Sequence, residues 1–215
     1  MTAGPRACRP ADGPAEAPTH ATAWRHPRPR DVAGRCIGRT DVAVDPRKAR
    51  RLARRIHRHA LREVAQGQAA PGLIAQGLIA PGQPTPRVVC CSPLRRCRDV
   101  ARHLRRLGWR VVVDAALLEA DFGHWDGRAW ADIPRHEVDA WVADFADHAP
   151  GGGESLRQVL ARAAAWVPPV PGATVVAHAG WMLARQWWRL HGAAAIPSAG
   201  QWPSAPGYGS RWRGL

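Results

Sequence analysis

Apolar residues along this chain repeat on two different periods. Short continuous runs bounded by charge or glycine, "RVVCCS" from Arg87, "WRVVVD" from Trp109 and "ATVVAHAG" from Ala173, predict strands buried on both faces. A weaker run, "ATAWR" at residues 21–25, predicts another strand that Pro27 and Pro29 bring to an end. Elsewhere the spacing is helical. "DPRKARRLARRIHRHALREVA" sets Leu52, Ile56, His59, Ala60 and Val64 on one stripe, with Asp45 as N-cap and Pro46 at the first helical position. "PLRRCRDVARHLRRLG" predicts a helix ending at Gly108, and further helices are expected around "EVDAWVADFA", from Glu154 to Trp166 and from 181 to 190. Strands alternating with helices imply an α/β fold: a three-layer α/β/α sandwich on a mostly parallel sheet.

Two stretches fall outside this pattern. Residues 1–18 are Pro-, Ala- and Gly-rich, cannot bury enough apolar surface to offset ordering, and are expected to be a disordered extension. Residues 67–86, with the near-duplicate GLIAQ and GLIAP, are expected to be a variable loop within one domain of residues 19–215.

Composition adds a formal charge of +14, almost all arginine, since Lys48 is the only lysine. Such a balance suits an anionic partner, but the basic outer face of the 46–64 helix lacks interleaved aromatics, and a solvated face is the simpler reading than nucleic acid. The five cysteines, at 8, 36, 90, 91 and 97, match no disulfide or metal spacing, and a reduced, cytoplasmic setting is expected. His57 and His59 lie on different sides of their helix, which argues against a metal pair. No apolar run approaches the ~18 residues of a membrane span, and no apolar segment follows Arg6 and Arg9 as an export signal would require. Walker-type, Gly-x-Ser-x-Gly, His-Glu-x-x-His and Cys-x-x-Cys motifs do not occur.

In open α/β sheets ligands bind beyond the carboxyl ends of the strands. Arg25 and His26 end the first predicted strand, and His178 ends the strand "TVVA". Arg96 falls in the first helical turn after the strand ending in "CCS", and Glu119 lies in the loop "LLEADFGHWDG". Two guanidinium groups, two imidazoles and one carboxyl form a coherent set for phosphoryl transfer. Arginine forks bind phosphate oxygens and hold their developing charge. A neutral imidazole can attack phosphorus, and a carboxyl can protonate the leaving alkoxide, then activate water. This chemistry calls for no metal or cofactor. Trp125 and Trp181, beside the candidate residues, are expected either in the core or as pocket walls.

In order along the chain, "RHP", "GRTDVAV", "SPLRRC", "LEADFGHWDG", "GGGESL" and "VVAHAG" resemble the motifs of the histidine phosphatase superfamily, the phosphoglycerate mutase-like fold, over roughly residues 22–210. Within it the chain looks like the alpha-ribazole phosphatases. The resemblance implies His26 as the nucleophile forming phosphohistidine and Glu119 as proton donor. It implies Arg25, Arg96 and His178 as the phosphate-binding set, with Arg39 near the mouth of the site and Glu154, Ser155 and Arg162 in a framework role. The implied substrate is alpha-ribazole 5′-phosphate or adenosylcobalamin 5′-phosphate. Three features depart from the family: Pro27 replaces the usual glycine after the histidine and removes a backbone N–H, the first strand reads "TAW" where large aliphatics are usual, and Ile37 stands where glutamine is common. Two other readings stay open: a broad-specificity phosphatase or mutase of this fold, and a basic, non-catalytic binding protein on the same scaffold.

Overall fold

The computed structural model describes residues 21–66 and 87–212. The extension expected over residues 1–18 and the loop expected over residues 67–86 lie outside the described residues.

The four predicted strands form as β1 (Thr22–Arg25), β2 (Val88–Cys91), β3 (Arg110–Val113) and β4 (Thr174–Ala177). A fifth, β5 (Arg211–Trp212), was not legible in the sequence, because two residues carry no periodicity. The order is β3-β2-β4-β1-β5, with β1, β2, β3 and β4 parallel and β5 antiparallel on the β1 edge. The α/β fold with a mostly parallel sheet is thus present, as a mixed five-stranded sheet.

The helices are α1 (Pro46–Ala65), α2 (Arg95–Arg105), α3 (Arg135–Ala143), α4 (Leu156–Ala165) and α5 (Ala179–His191). Asp45 caps α1 by accepting from the Arg47 N–H at 2.7 Å, with Pro46 following as expected. Helix α4 begins later than predicted. Ser155 is its N-cap, in a reciprocal box with Gln158, which leaves Glu154 outside the helix and free to pair. Helix α5 begins two residues earlier than predicted, directly after His178, so the histidine occupies its N-cap position.

Alternation along the strands builds two cores. Ala23, Val88, Cys90, Val175 and Ala177 face α4 and α5, with Val159, Leu160, Ala163, Trp166, Trp181 and Met182. Trp24, Val89, Cys91 and Val176 face α1 and α2, with Leu52, Ile56, Val100 and Leu104. Adjacent Cys90 and Cys91 therefore serve opposite cores. Trp125 and Trp181 are both fully buried, Trp181 edge-on to Trp166 at 5.5 Å, so they are core residues and not pocket walls.

Candidate active site

The three central strands end at one edge and deliver the candidate residues there. Strands β1 and β4 pair in register from Thr22↔Thr174 to Arg25↔Ala177, and the next N–H, that of His26, donates to the Ala177 carbonyl at 3.1 Å. The register therefore sets His26 beside His178, and their rings lie 5.0 Å apart. On the other side of β4, Ser92 donates its N–H to Val176, and its Oγ accepts from Leu94 at 3.3 Å as the chain turns into α2. That turn brings Arg96, in the first helical turn, against His178. His26, His178 and Arg96 are all buried.

Hydrogen bonds settle the state of each imidazole. His26 Nδ1 lies 2.7 Å from the Pro27 carbonyl, which can only accept, so Nδ1 carries the proton and Nε2 keeps its lone pair. Proline at 27 costs an N–H but retains the carbonyl that this contact uses. Burial pushes the His26 pKa well below the ordinary value, and Arg96 and Arg25 push it further, against the Pro27 bond. His26 is therefore a neutral imidazole with a free Nε2. His178 Nδ1 accepts from Arg96 Nε at 3.1 Å, and its Nε2 lies 3.5 Å from the Cys97 thiol. Burial, then His26 and Arg96, hold His178 neutral as well. Both of its nitrogens have protein partners.

The two arginines are held differently. Arg96 is anchored through all three nitrogens: Nε on His178, Nη1 on the Thr40 carbonyl at 2.7 Å, and Nη2 on the Gly38 carbonyl at 2.5 Å. Each terminal nitrogen keeps a second N–H for a ligand. Arg25 donates from Nη1 to the Pro206 carbonyl at 2.5 Å and stacks on the Tyr208 ring, 3.7 Å from its centroid. Its Nε is buried with no partner among the described residues. An unpaired buried N–H costs about 1–3 kcal/mol.

Glu119 reaches the same edge from the loop after β3. Its carboxylate accepts from the N–H groups of Gly180 and Trp181, at the start of α5, and from Ala120, each at 3.1 Å. A Cβ on residue 180 would stand 2.5 Å from Glu119 Oε1, which explains glycine in "HAG". The loop is pinned from behind. Arg162 donates to the carbonyls of Ala116 and Leu118 and forms a two-pronged pair with Glu154 at 2.9 and 2.8 Å. Burial acts to raise the Glu154 pKa, but Arg162, the Asp121 N–H and Arg39 outweigh it and hold it low. Arg39 is drawn into this cluster, 3.2 Å from both Asp121 and Glu154, so both its terminal nitrogens are paired.

Two residues were missed in the sequence. Asp126 gathers the backbone N–H groups of Gly38, Arg39 and Thr40 and the Thr40 hydroxyl, fixing the segment whose carbonyls hold Arg96. In sequence it resembles an ordinary turn residue of "HWDG". Tyr208 packs on Arg25 and lies 5.6 Å from the His26 ring. As the single tyrosine, between two glycines, it carried a signal that went unread. The described cysteines are not nucleophile candidates: burial pushes Cys36, Cys90 and Cys91 up to about 12 and Cys97 well above its usual value. Among the described residues no His, Cys, Asp or Glu cluster could hold a metal ion, and no helix is long and apolar enough to cross a membrane.

Comparison with known proteins gives the chain's family and fold relatives. The chain is 40% identical over 78 residues to a bifunctional protein of Mycobacterium tuberculosis, a stretch covering 34% of this chain and 21% of that one. It is 39% identical over 84 residues to glucosyl-3-phosphoglycerate phosphatase of the same organism, covering 38% of each. The matched stretches thus span well under half of these relatives. A solved structure of the mycobacterial glucosyl-3-phosphoglycerate phosphatase superposes with a TM-score of 0.60 at 26% identity, covering 90% of this chain and 88% of that one. The alpha-ribazole phosphatase of Shigella flexneri shares the fold, with a TM-score of 0.62 at 20% identity over 90% and 89% of the two chains. The family model for the histidine phosphatase superfamily, branch 1, matches residues 79–192, a span that contains Arg96, Glu119 and His178. That span exceeds half of the chain, and with the site that β1 completes it makes the chain a member of the histidine phosphatase superfamily.

Proposed function

We propose that the chain is a phosphomonoesterase acting through a phosphohistidine on His26. The observation that carries this reading is the buried, neutral His26 imidazole, with Nδ1 tied to the Pro27 carbonyl, Nε2 unprotonated, and its pKa lowered further by Arg96 and Arg25. In the first step Nε2 attacks phosphorus, the P–O bond to the alcohol breaks, and protonated Glu119 gives its proton to the leaving alkoxide. In the second, water attacks the phosphohistidine, the Glu119 carboxylate takes the water proton, and phosphate leaves with His26 restored. Arg25 and Arg96 hold the phosphoryl oxygens throughout, and stabilise the charge spreading over them. His178, whose two nitrogens are held by Arg96 and Cys97, serves the phosphate-binding set by orienting Arg96, with Arg39 a substrate contact only at the rim.

The motif pattern favours alpha-ribazole 5′-phosphate or adenosylcobalamin 5′-phosphate as substrate. The identity to glucosyl-3-phosphoglycerate phosphatase supports a second reading, a phosphorylated glycosyl acid handled by the same chemistry. The test is phosphate release from alpha-ribazole 5′-phosphate, glucosyl-3-phosphoglycerate and an aryl phosphate, with chelator present, for wild type and His26→Ala. Hydrolysis that persists in chelator and disappears in the variant is expected, and the substrate ratio selects between the readings. Wild-type inactivity on all three, with no acid-labile phosphoenzyme, overturns the proposal.

A further inference from the structure

The outer face of α1 and α2 is densely basic, and the proposed phosphatase chemistry does not use it. Residues 46–112 carry sixteen arginines and lysines against two acids, whereas residues 113–154 carry ten acids against two arginines. Folding converts this asymmetry along the chain into an asymmetry in space. Helices α1 and α2 pack side by side over one face of the sheet, their apolar stripes in a common core.

Arg47, Arg50, Arg51, Arg54 and Arg58 are exposed and line one shallow concavity of about 330 Å³. Arg50 and Arg54 of α1 join His103 of α2 and Arg106, just past its end, in a second, of about 240 Å³, between the helices. None of these arginines forms an ion pair among the described residues. The two acids of the face are already engaged, Asp99 with Arg102 and Glu63 with His59. Composition alone does not account for the pattern, because arginines elsewhere in the molecule have partners: Arg157 with Asp147, Arg162 with Glu154, Arg135 with Asp139.

This arrangement is unfavourable for the free protein. Arg54 has arginines at i−4, i−3 and i+4 and no acid among them, and like charges at those spacings destabilise a helix. Arg47 and Lys48 also face the positive end of the α1 dipole. The His103 pKa is lowered by burial and then by Arg106 and Arg50, so the two helices converge their charge on one point.

We infer that the α1/α2 face binds the phosphate backbone of double-stranded nucleic acid, independently of sequence. From Arg47 to Arg58 the row extends about 16 Å at 1.5 Å per residue, a length along which each strand of a duplex presents about five phosphates. The face carries no exposed aromatic residue on which unpaired bases could stack, which favours duplex over single strand. Leu52, Ala53 and Ile56 are buried against the sheet beneath the arginines, and the exposed Leu61 and Val64 lie beyond Arg58, so the arginine row itself has no apolar surface to enter a lipid bilayer.

The test is fluorescence anisotropy of a labelled 25-base-pair duplex against the full chain from 50 to 200 mM salt. With four or five phosphates neutralised, log K is expected to fall with log[salt] at a slope of about −4, with a Kd of about 10⁻⁴ to 10⁻⁶ M at physiological salt. Charge reversal at the inter-helix cleft, Arg50→Glu with Arg106→Glu, is expected to weaken binding at least tenfold and to flatten the slope. Arg135→Glu with Arg189→Glu, on helices α3 and α5, is expected to leave it within twofold, and His26→Ala to leave it unchanged. Equal weakening by both pairs would reduce the effect to net charge and overturn the inference, as would tighter binding to phosphatidylserine vesicles at the same salt, or no duplex binding at 50 mM.

Discussion

Arginine does two different jobs at the carboxyl edge of the sheet and on the outer face of α1 and α2. At the edge every guanidinium is held: Arg96 by three acceptors, Arg25 by Pro206 and Tyr208, Arg39 and Arg162 by Glu154. On the outer face Arg47, Arg50, Arg54 and Arg58 are exposed and unpaired among the described residues. Identical side chains differ in consequence because burial differs. A buried guanidinium must be hydrogen-bonded to be tolerated, and its position is thereby fixed to suit one small anion. An exposed one keeps its water, costs little, and offers only charge, which suits a long anion of no fixed geometry.

Substitutions sharpen that comparison, beginning at the edge. His26→Ala is expected to lower kcat by at least about 10³-fold, and Glu119→Gln by about 10²- to 10⁴-fold, measured as phosphate release on correctly folded protein. Arg96→Ala removes the link between the Gly38–Thr40 segment and His178, and is expected to cost about 2–4 kcal/mol in denaturant unfolding as well as activity. Gly180→Ala pushes against Glu119 Oε1, and is expected to lower kcat about tenfold with the midpoint of unfolding nearly unchanged. Last comes the outer face: Arg54→Glu is expected to raise Tm by no more than about 3 °C, because it relieves like-charge neighbours without breaking any contact. A destabilisation by Arg54→Glu as large as that by Arg96→Ala would break the distinction between the two regions.

Acidification acts on both regions, most strongly at the edge. The folded-state pKa values of His26 and His178 lie well below the unfolded value near ~6.5. Their contribution is therefore present above that pH, and falls away below it as the unfolded chain takes up protons that the folded chain refuses. Thermal unfolding from pH 8 to pH 5 is expected to show Tm falling below about pH 6.5, with a shallower fall in His178→Asn. On α1 and α2, His57 and His103, also lowered by burial, add to the same slope.

Much of the fold was legible because it rests on local periodicity. Runs such as Val88–Cys91 and Thr174–Ala177 can only be buried, and the stripe of Leu52 and Ile56 can only be one face of a helix. The placement of Arg25, His26, Arg96, Glu119 and His178 near strand ends followed from the same reading, since each lies a few residues beyond an apolar run. The short β5, the true start of α4 at Ser155, and the burial of Trp125 and Trp181 were not legible, because each depends on what packs against it.

The sequence by itself determined which segments are strands and helices, which residue types arrive at the sheet edge, and that charge is unevenly divided along the chain. Only the tertiary structure decided how they meet. The β1–β4 register puts His26 beside His178, the Pro27 carbonyl selects the proton position on His26, and Glu154 draws Arg39 away from an open role. The packing of α1 against α2 turns two separate basic segments into one surface. The physical reason is range: periodicity and capping act within a few residues, whereas hydrogen bonds and charge act between any groups that folding brings together.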